Sequence, residues 1–319
     1  MNKTKFMPLL RAILFFIITI GLTGCAPTIS GSAKDDSSRT GIADELAPAD
    51  EYTGPKLRIG VVNFLDQTPP KIPGIGEAAA DILETILQKT DRFIIIPQQD
   101  VASVIGQQSL RASGSINPAT AAELGKILGL NAIVTGAIRS YSETEEGEDY
   151  LIYKKKKQTA HVTVDYRIVD ATTGIQLMAD SGQGVYSKET GGMLGLGYES
   201  TYNTDLRDGA LRDALTKPMV KMLKQLKAKE WNGRIAKVEG KKVYINAGQK
   251  TDLQVGNILV VQDLGEDIID PRTGVSLGKA PGDIKGELII TAFFGSDGSV
   301  ATIRSGGGFL YNDLVKLKK

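Results

Sequence analysis

Leu57-Arg-Ile-Gly-Val-Val-Asn-Phe-Leu65 is followed, across a proline-rich turn, by Gly76-Glu-Ala-Ala-Ala-Asp-Ile-Leu-Glu-Thr-Ile-Leu-Gln-Lys89. The first stretch is short and mostly apolar, the pattern of a strand buried on both faces. The second changes period. Ala79, Ile82, Leu83, Ile86 and Leu87 recur at helical spacing, with acids early and Lys89 late, as the helix dipole favours. A buried strand feeding an amphipathic helix requires a sheet with a helix packed on it, so the fold class is α/β.

The pattern continues outward from there. Phe93 to Pro97 reads as a second strand, Gln98 to Gln108 as a helix, and Pro118 to Leu128 as another, with Asn117 as its cap and Pro118 in its first turn. Asn131 to Arg139 returns to strand. His161 to Asp170 alternates, placing Val162, Val164, Tyr166 and Ile168 on one face and Thr163, Asp165 and Arg167 on the other. The turn Asp170-Ala-Thr-Thr-Gly174 leads into a strand from Ile175 to Met178. From Asp205 to Lys227 an apolar stripe predicts a closing helix, which Pro218 should kink or divide. Residues 56–229 thus form an α+β sheet with helices packed on it. After Trp231 the composition shifts to short strands between Gly, Asp and Asn turns: Arg234 to Glu239, Lys242 to Asn246, Asn257 to Gln262, Lys285 to Phe294, Ser299 to Ser305 and Asp313 to Lys318. Residues 230–319 are therefore expected to form a small all-β barrel.

Upstream, Lys3, Lys5 and Arg11 precede the apolar run Ala12 to Gly21 and then Leu22-Thr-Gly-Cys25, which holds the chain's one cysteine. The run is too short to span a bilayer as a helix, which takes about 20 apolar residues. Basic residues, a short apolar core and small residues before a cysteine are the layout of a lipoprotein export signal. Residues 1–24 are expected to be removed and Cys25 to carry acyl chains such as palmitate. Each buried methylene adds about 0.8 kcal/mol, and more than one chain gives stable anchoring. Residues 25–55, rich in Ser, Asp, Ala and Pro, read as a disordered tether. Its last 30 residues would reach about 100 Å when extended. Ala26 and Pro27 follow the cysteine, with no aspartate to hold the protein at the inner membrane. The expected location is the periplasmic side of the outer membrane. A formal net charge of +1 gives no reason to expect nucleic acid as a partner.

The five pieces Leu22-Thr-Gly-Cys25, RIGVVNF with its DQT turn, GIGEAAADILETIL, DRFIIIPQQDVASVIGQQ, and LGLNAIVTGAI followed by VDYRIVDATTGIQL resemble, in order and spacing, the curli secretion component family, known as the CsgG family. The likeness covers Lys56 to Gly184. It implies an α/β periplasmic domain, a homo-oligomeric ring and, in the best-known members, strands given to one shared outer-membrane barrel that serves secretion or surface-fibre assembly. The C-terminal module more distantly resembles the small β-domain that ends flagellar assembly protein T, through GQKTDLQVGNILVV and the DPRTG turn.

The resemblance places two membrane hairpins near Tyr141 to Thr163 and Met178 to Asp205. The residues there oppose lipid. The first holds Glu143, Glu145, Glu146, Glu148, Asp149 and then Lys154-Lys-Lys-Lys157, so that either register puts two lysines on each face. An outward lysine near the bilayer midplane costs roughly 2–4 kcal/mol. A solvated hairpin tip accounts better for the run. The second offers few apolar positions, and Gly191 to Gly197 reads as a tip or as a loop presenting Met193 and Leu194 to a partner. In pore-forming relatives a longer loop after the first strand carries aromatic and amide side chains that narrow the channel. Here Asp66 to Gly74 has no aromatic and no asparagine, and no constriction residues are assigned. The expected alternative is a non-porous accessory lipoprotein that binds a periplasmic or secreted protein.

No enzyme, cofactor or metal is expected. Gly74-Ile-Gly76-Glu-Ala-Ala79 matches a dinucleotide fingerprint, but eight residues with three prolines separate it from the strand, where a tight turn is needed. His161 is the one histidine and has no companion cysteine, which fits neither a zinc site nor a Ser-His pair. Glu266, Asp267 and Asp270 lack calcium-loop spacing, and Asp270 to Gly274 makes a turn by itself.

Overall fold

The computed structural model describes residues 54–107, 118–149, 153–193, 204–274, 276–280 and 282–318. The opening strand, β1 (Leu57–Val61), lies parallel between β3 (Phe93–Ile96) and β4 (Ala132–Asp149), with Leu57 opposite Phe93 and Ile59 opposite Ala132. Such parallel neighbours need crossovers, which α1 (Ile75–Lys89), α2 (Gln98–Gln107) and α3 (Pro118–Leu128) supply. A two-residue strand, β2 (Leu65–Asp66), extends the parallel pairing to Ile138. Then β4, β5 (Tyr153–Asp170) and β6 (Gln176–Met193) run as an antiparallel meander of 18 residues each. The sheet order is β3-β1-β4-β5-β6.

Helices cover both faces unequally. Ile82, Leu83, Ile86 and Leu87 of α1 share one core with the alternating face of β5, α4 (Thr204–Thr216) and α5 (Met219–Ala228). The expected closing helix is two, because Pro218 lacks the N–H that would continue α4. On the opposite face, Val101 and Ile105 of α2 and Ala121 and Leu124 of α3 pack against Ile133 and Val169. A second difference from the sequence expectation is strand length: β4 continues past Arg139 to Asp149, and β6 past Met178 to Met193. Gly, Glu and Asp are poor strand formers, so these continuations carry no propensity signal, and pairing with β5 determines them.

Helix α4 approaches β6 closely. A Cβ on Gly184 would lie 1.9 Å from the Ala210 carbonyl oxygen, and one on Gly182 would lie 2.1 Å from that of Ala214. The same logic explains Gly76 in the apparent dinucleotide fingerprint. A Cβ there would meet the Phe64 carbonyl at 1.8 Å, so helix-to-strand packing demands the glycine.

The C-terminal region closes into a barrel in the order β12-β13-β8-β7-β14-β9, formed by β7 (Gly233–Glu239), β8 (Lys242–Ile245), β9 (Ile258–Gln262), β12 (Ile284–Phe294), β13 (Gly298–Gly306) and β14 (Leu314–Leu317). These are the six expected strands. A hairpin of β10 (Asp267–Ile269) and β11 (Ser276–Lys279) stands outside the barrel around the Asp270–Gly274 turn. Barrel and sheet share one apolar core, and a polar seam joins them. Asn131 accepts the Arg58 N–H at 2.8 Å and donates to the Asn232 carbonyl at 2.7 Å. Arg58 reaches the Asn246 carbonyl at 2.9 Å, and Asn246 accepts the Arg234 N–H at 2.8 Å.

Gly184→Ala is expected to lower the urea midpoint, with a loss of roughly 1–3 kcal/mol from overpacking. Gly147→Ala, which meets nothing within 4 Å, should leave the midpoint unchanged or raise it slightly. Equal effects of the two substitutions would contradict the close helix–strand contact.

Candidate functional site

Past Ile138 the sheet changes character. β4 loses its partners on the β1 and β2 side, a register irregularity falls between Ile138 and Ser140, and from there only β4, β5 and β6 continue. About ten residues per strand at ~3.3 Å each make a ribbon of about 30 Å beyond β1 and β2, and α4 covers one face of its base at Ala160, Val162, Gly184 and Tyr186. It comprises residues 140–149, 153–163 and 183–193.

The charge run lies in strand and not at a tip, and the pairing shows why that is tolerable. Glu146 stands opposite Lys157, Glu148 opposite Lys155 and Asp149 opposite Lys154, while Lys157 faces Glu189 on its other side. Diagonally, Lys156 Nζ reaches Glu145 Oε1 at 2.9 Å. Opposite charges directly across a sheet stabilise by about 0.2–1 kcal/mol per pair. An acid block followed by a lysine block across a short YLI connection is itself the sequence signal for such a ladder, and its antiparallel register could have been read from the sum of paired positions.

At the base Ala160 and Val162 are buried and Tyr186 packs on the same core, and beyond them neither face is apolar. One carries Tyr141, Glu143, Glu145, Lys156, Gln158 and Lys188; the other carries Ser142, Thr144, Glu146, Lys157, Thr159 and Glu189. His161 is exposed on the second face, and among the described residues no group of three or more His, Cys, Asp or Glu is placed to hold a metal ion. No helix among the described residues is long and apolar enough to cross a membrane. Cys25, the tether up to residue 53 and Leu194 lie outside the described residues.

At the ribbon's base the loop after β1 is held shut by a carboxylate. Asp66 accepts the Thr68 N–H at 2.8 Å, the Thr68 hydroxyl at 2.6 Å and the Ile72 N–H at 2.6 Å. Arg139 ties this loop to the sheet by donating to both Gln67 and Asp165. Asp270 accepts the N–H groups of Arg272 and Thr273 at 2.8 and 2.9 Å, which makes it a turn residue. A cavity of about 430 Å³ opens between the sheet and the barrel, lined by Asp170, Thr172, Lys229, Asn232 and Lys316. Its central charges satisfy one another: Lys229 contacts Asp170 at 2.6 Å.

On the helix side of β6, Lys221 of α5 donates to Asp180 at 2.9 Å. That bond, followed by the Ser181 N–H, holds the Asp180 carboxyl below its ordinary range. Burial, and then the charge of Asp180, pushes the neighbouring Tyr166 phenol well above its ordinary range. Because folding lowers the Asp180 pKa, its stabilisation is present above the ordinary carboxylate range and is lost as pH falls through and below it. Thermal melts from pH 7 down to pH about 3 should show this loss, and Lys221→Met should flatten part of it. An identical pH profile in the variant would mean that the pair does not contribute.

The sequence model of the curli production assembly/transport component family, CsgG, matches residues 45–255, further in both directions than the likeness visible by eye. A Neisseria meningitidis serogroup B protein described as a lipoprotein by inference is 26% identical over 220 residues, covering 64% of this chain and 90% of the relative. Among solved structures, a lipoprotein from Neisseria meningitidis overlaps 53% of this chain and 97% of its own, at 16% identity and a TM-score of 0.32. The LpoB C-terminal domain from Escherichia coli overlaps 46% and 93%, at 13% identity and a TM-score of 0.31. Overlaps of that extent do not bear on function.

Proposed function

The chain belongs to the CsgG family, and from that premise we propose that it is an envelope lipoprotein, anchored through acyl chains on Cys25 after removal of residues 1–24, whose charged ribbon docks a protein partner in the aqueous space of the periplasm. The observation that carries this reading is the ladder of opposed Glu and Lys on both faces of the ribbon. A lipid-facing strand needs an apolar side chain at every second position, and outward Lys is expensive near the midplane. In water the same ladder costs nothing to expose and offers a partner a rigid array of alternating charge. The tether, residues 25–55, would let the folded part work at a distance from the outer membrane that holds it.

A second reading is supported by the family match and by strand length. About ten residues per ribbon strand is what a membrane barrel strand requires, so a ring of copies could join ribbons into a secretion pore. In that reading the protein is an oligomeric secretion or fibre-assembly component, and paired charges would face a wet lumen.

Full-length protein extracted in detergent and imaged by negative stain, with bilayer conductance measured in parallel, separates the two. The docking reading expects no stable single-channel steps and expects Cys25→Ser to move the protein into the soluble periplasmic fraction with its melting temperature unchanged. Closed rings with discrete conductance would overturn it in favour of the pore.

A further inference from the structure

Helices α4 and α5 run along β6 in step with it. Asp205 pairs with Lys188 at 3.2 Å, Tyr186 packs on Gly209, and Lys221 pairs with Asp180 at 2.9 Å. Between these contacts the helix reaches past the side chains to the strand's backbone. Asp213 Oδ2 accepts the Val185 N–H at 2.9 Å, and Lys217 Nζ donates to the Gln183 carbonyl at 3.1 Å. The two side chains also bond each other at 2.8 Å, as an i,i+4 pair. Among the described residues β6 is the last strand of its sheet, so residues 183 and 185 turn these groups away from β5 toward an edge that no described strand occupies. One acceptor for an N–H and one donor for a C=O are what a neighbouring strand would have supplied.

We propose that the outer edge of β6 is a strand-pairing surface for a second copy of this chain, held closed by the Asp213–Lys217 pair. The edge is self-complementary. A two-fold axis at Gly184 would set Gln183 opposite Val185 of the second copy, and antiparallel residues in such a pair exchange the carbonyl of one for the N–H of the other. Those are the two groups that α4 holds. Val185 is apolar, sits at the centre of this edge and is 46% exposed. The side chains of Asp213 and Lys217 are 29% and 42% exposed, so rotation about their own bonds releases the edge without moving the helix. Natural sheets guard long edges with charged side chains, and here an ion pair on a neighbouring helix performs that task. This surface lies at the helix-covered base of the ribbon, and the charged section assigned to partner docking begins beyond it, from Ser187 onward on β6.

The test compares full-length protein with an Asp213→Ala/Lys217→Ala double variant in detergent, by hydrogen exchange of a peptide spanning residues 181–187 and by sedimentation velocity. At low concentration the double variant should exchange the Gln183 and Val185 amides about tenfold faster. At higher concentration it should gain a species of about twice the mass of the unmodified assembly, with renewed protection of the same amides. Asp213→Asn, which keeps an acceptor for Val185, should behave as the unmodified protein. If the double variant fails to fold, Lys217→Met carries the test, with a smaller shift in the same direction. Unchanged exchange in both open variants would overturn the guard, and faster exchange without added mass at any concentration would overturn the pairing surface.

Discussion

The polar seam between sheet and barrel is the constraint on which the rest of the molecule depends. Asn131 receives an N–H from β1 and gives one to the chain entering the barrel, and Arg58 and Arg234 both converge on Asn246. Burial lowers the Arg58 pKa against the opposing pull of Asp297, and it lowers that of Arg234 to about 10. Buried charge is tolerable only where it is partnered, and removing one partner costs more than the pair itself contributes. The seam therefore locks the orientation of two units that apolar contact alone would leave free to slide. It also anchors the root of β4, since Asn131 immediately precedes that strand.

From that root the long strands follow. β4 is fixed by β1 and β2 as far as Ile138, and β5 by the alternating core under α1 and α4. β6 is fixed by a helix that glycines allow to lie against its backbone. Each strand is thus clamped over one half, the first of β4 and β6 and the second of β5, and the other half extends from a rigid base. A ribbon so mounted keeps its register without an apolar face of its own, because the register is set before the charged section begins and the cross-strand charges then agree with it.

Local periodicity made the helices, the core face of β5 and the six barrel strands legible in the sequence, because each buries one face and the period records which. Pro218 correctly marked the division of the last helix. The continuation of β4 through Ser-Glu-Thr-Glu-Glu-Gly-Glu-Asp was not legible as a strand, since both its faces meet water and no alternation betrays it. The β10–β11 hairpin escaped for the same reason. The seam residues were invisible in another way. Arg58, Asn131, Arg234 and Asn246 sit in four separate segments, and their partnership spans up to 188 positions. Only Arg234 and Asn246, 12 positions apart, fall within one window of sequence.

The charge ladder also bears on what solvent the ribbon evolved to meet. A pair such as Lys156 and Glu145 is half-exposed on both sides, and in water such pairs contribute little, with a median near 0–1 kcal/mol. Stability alone therefore does not account for six acids and five lysines in the ribbon. In lipid the same groups would each demand a partner, and a strand presenting them alternately on both faces could satisfy only those turned to a wet lumen. Two environments remain consistent with charge on both faces: water on both sides, or a second protein surface of matching pattern. In the docking reading proposed above, either environment would let charge order, more than buried area, set orientation and partner choice.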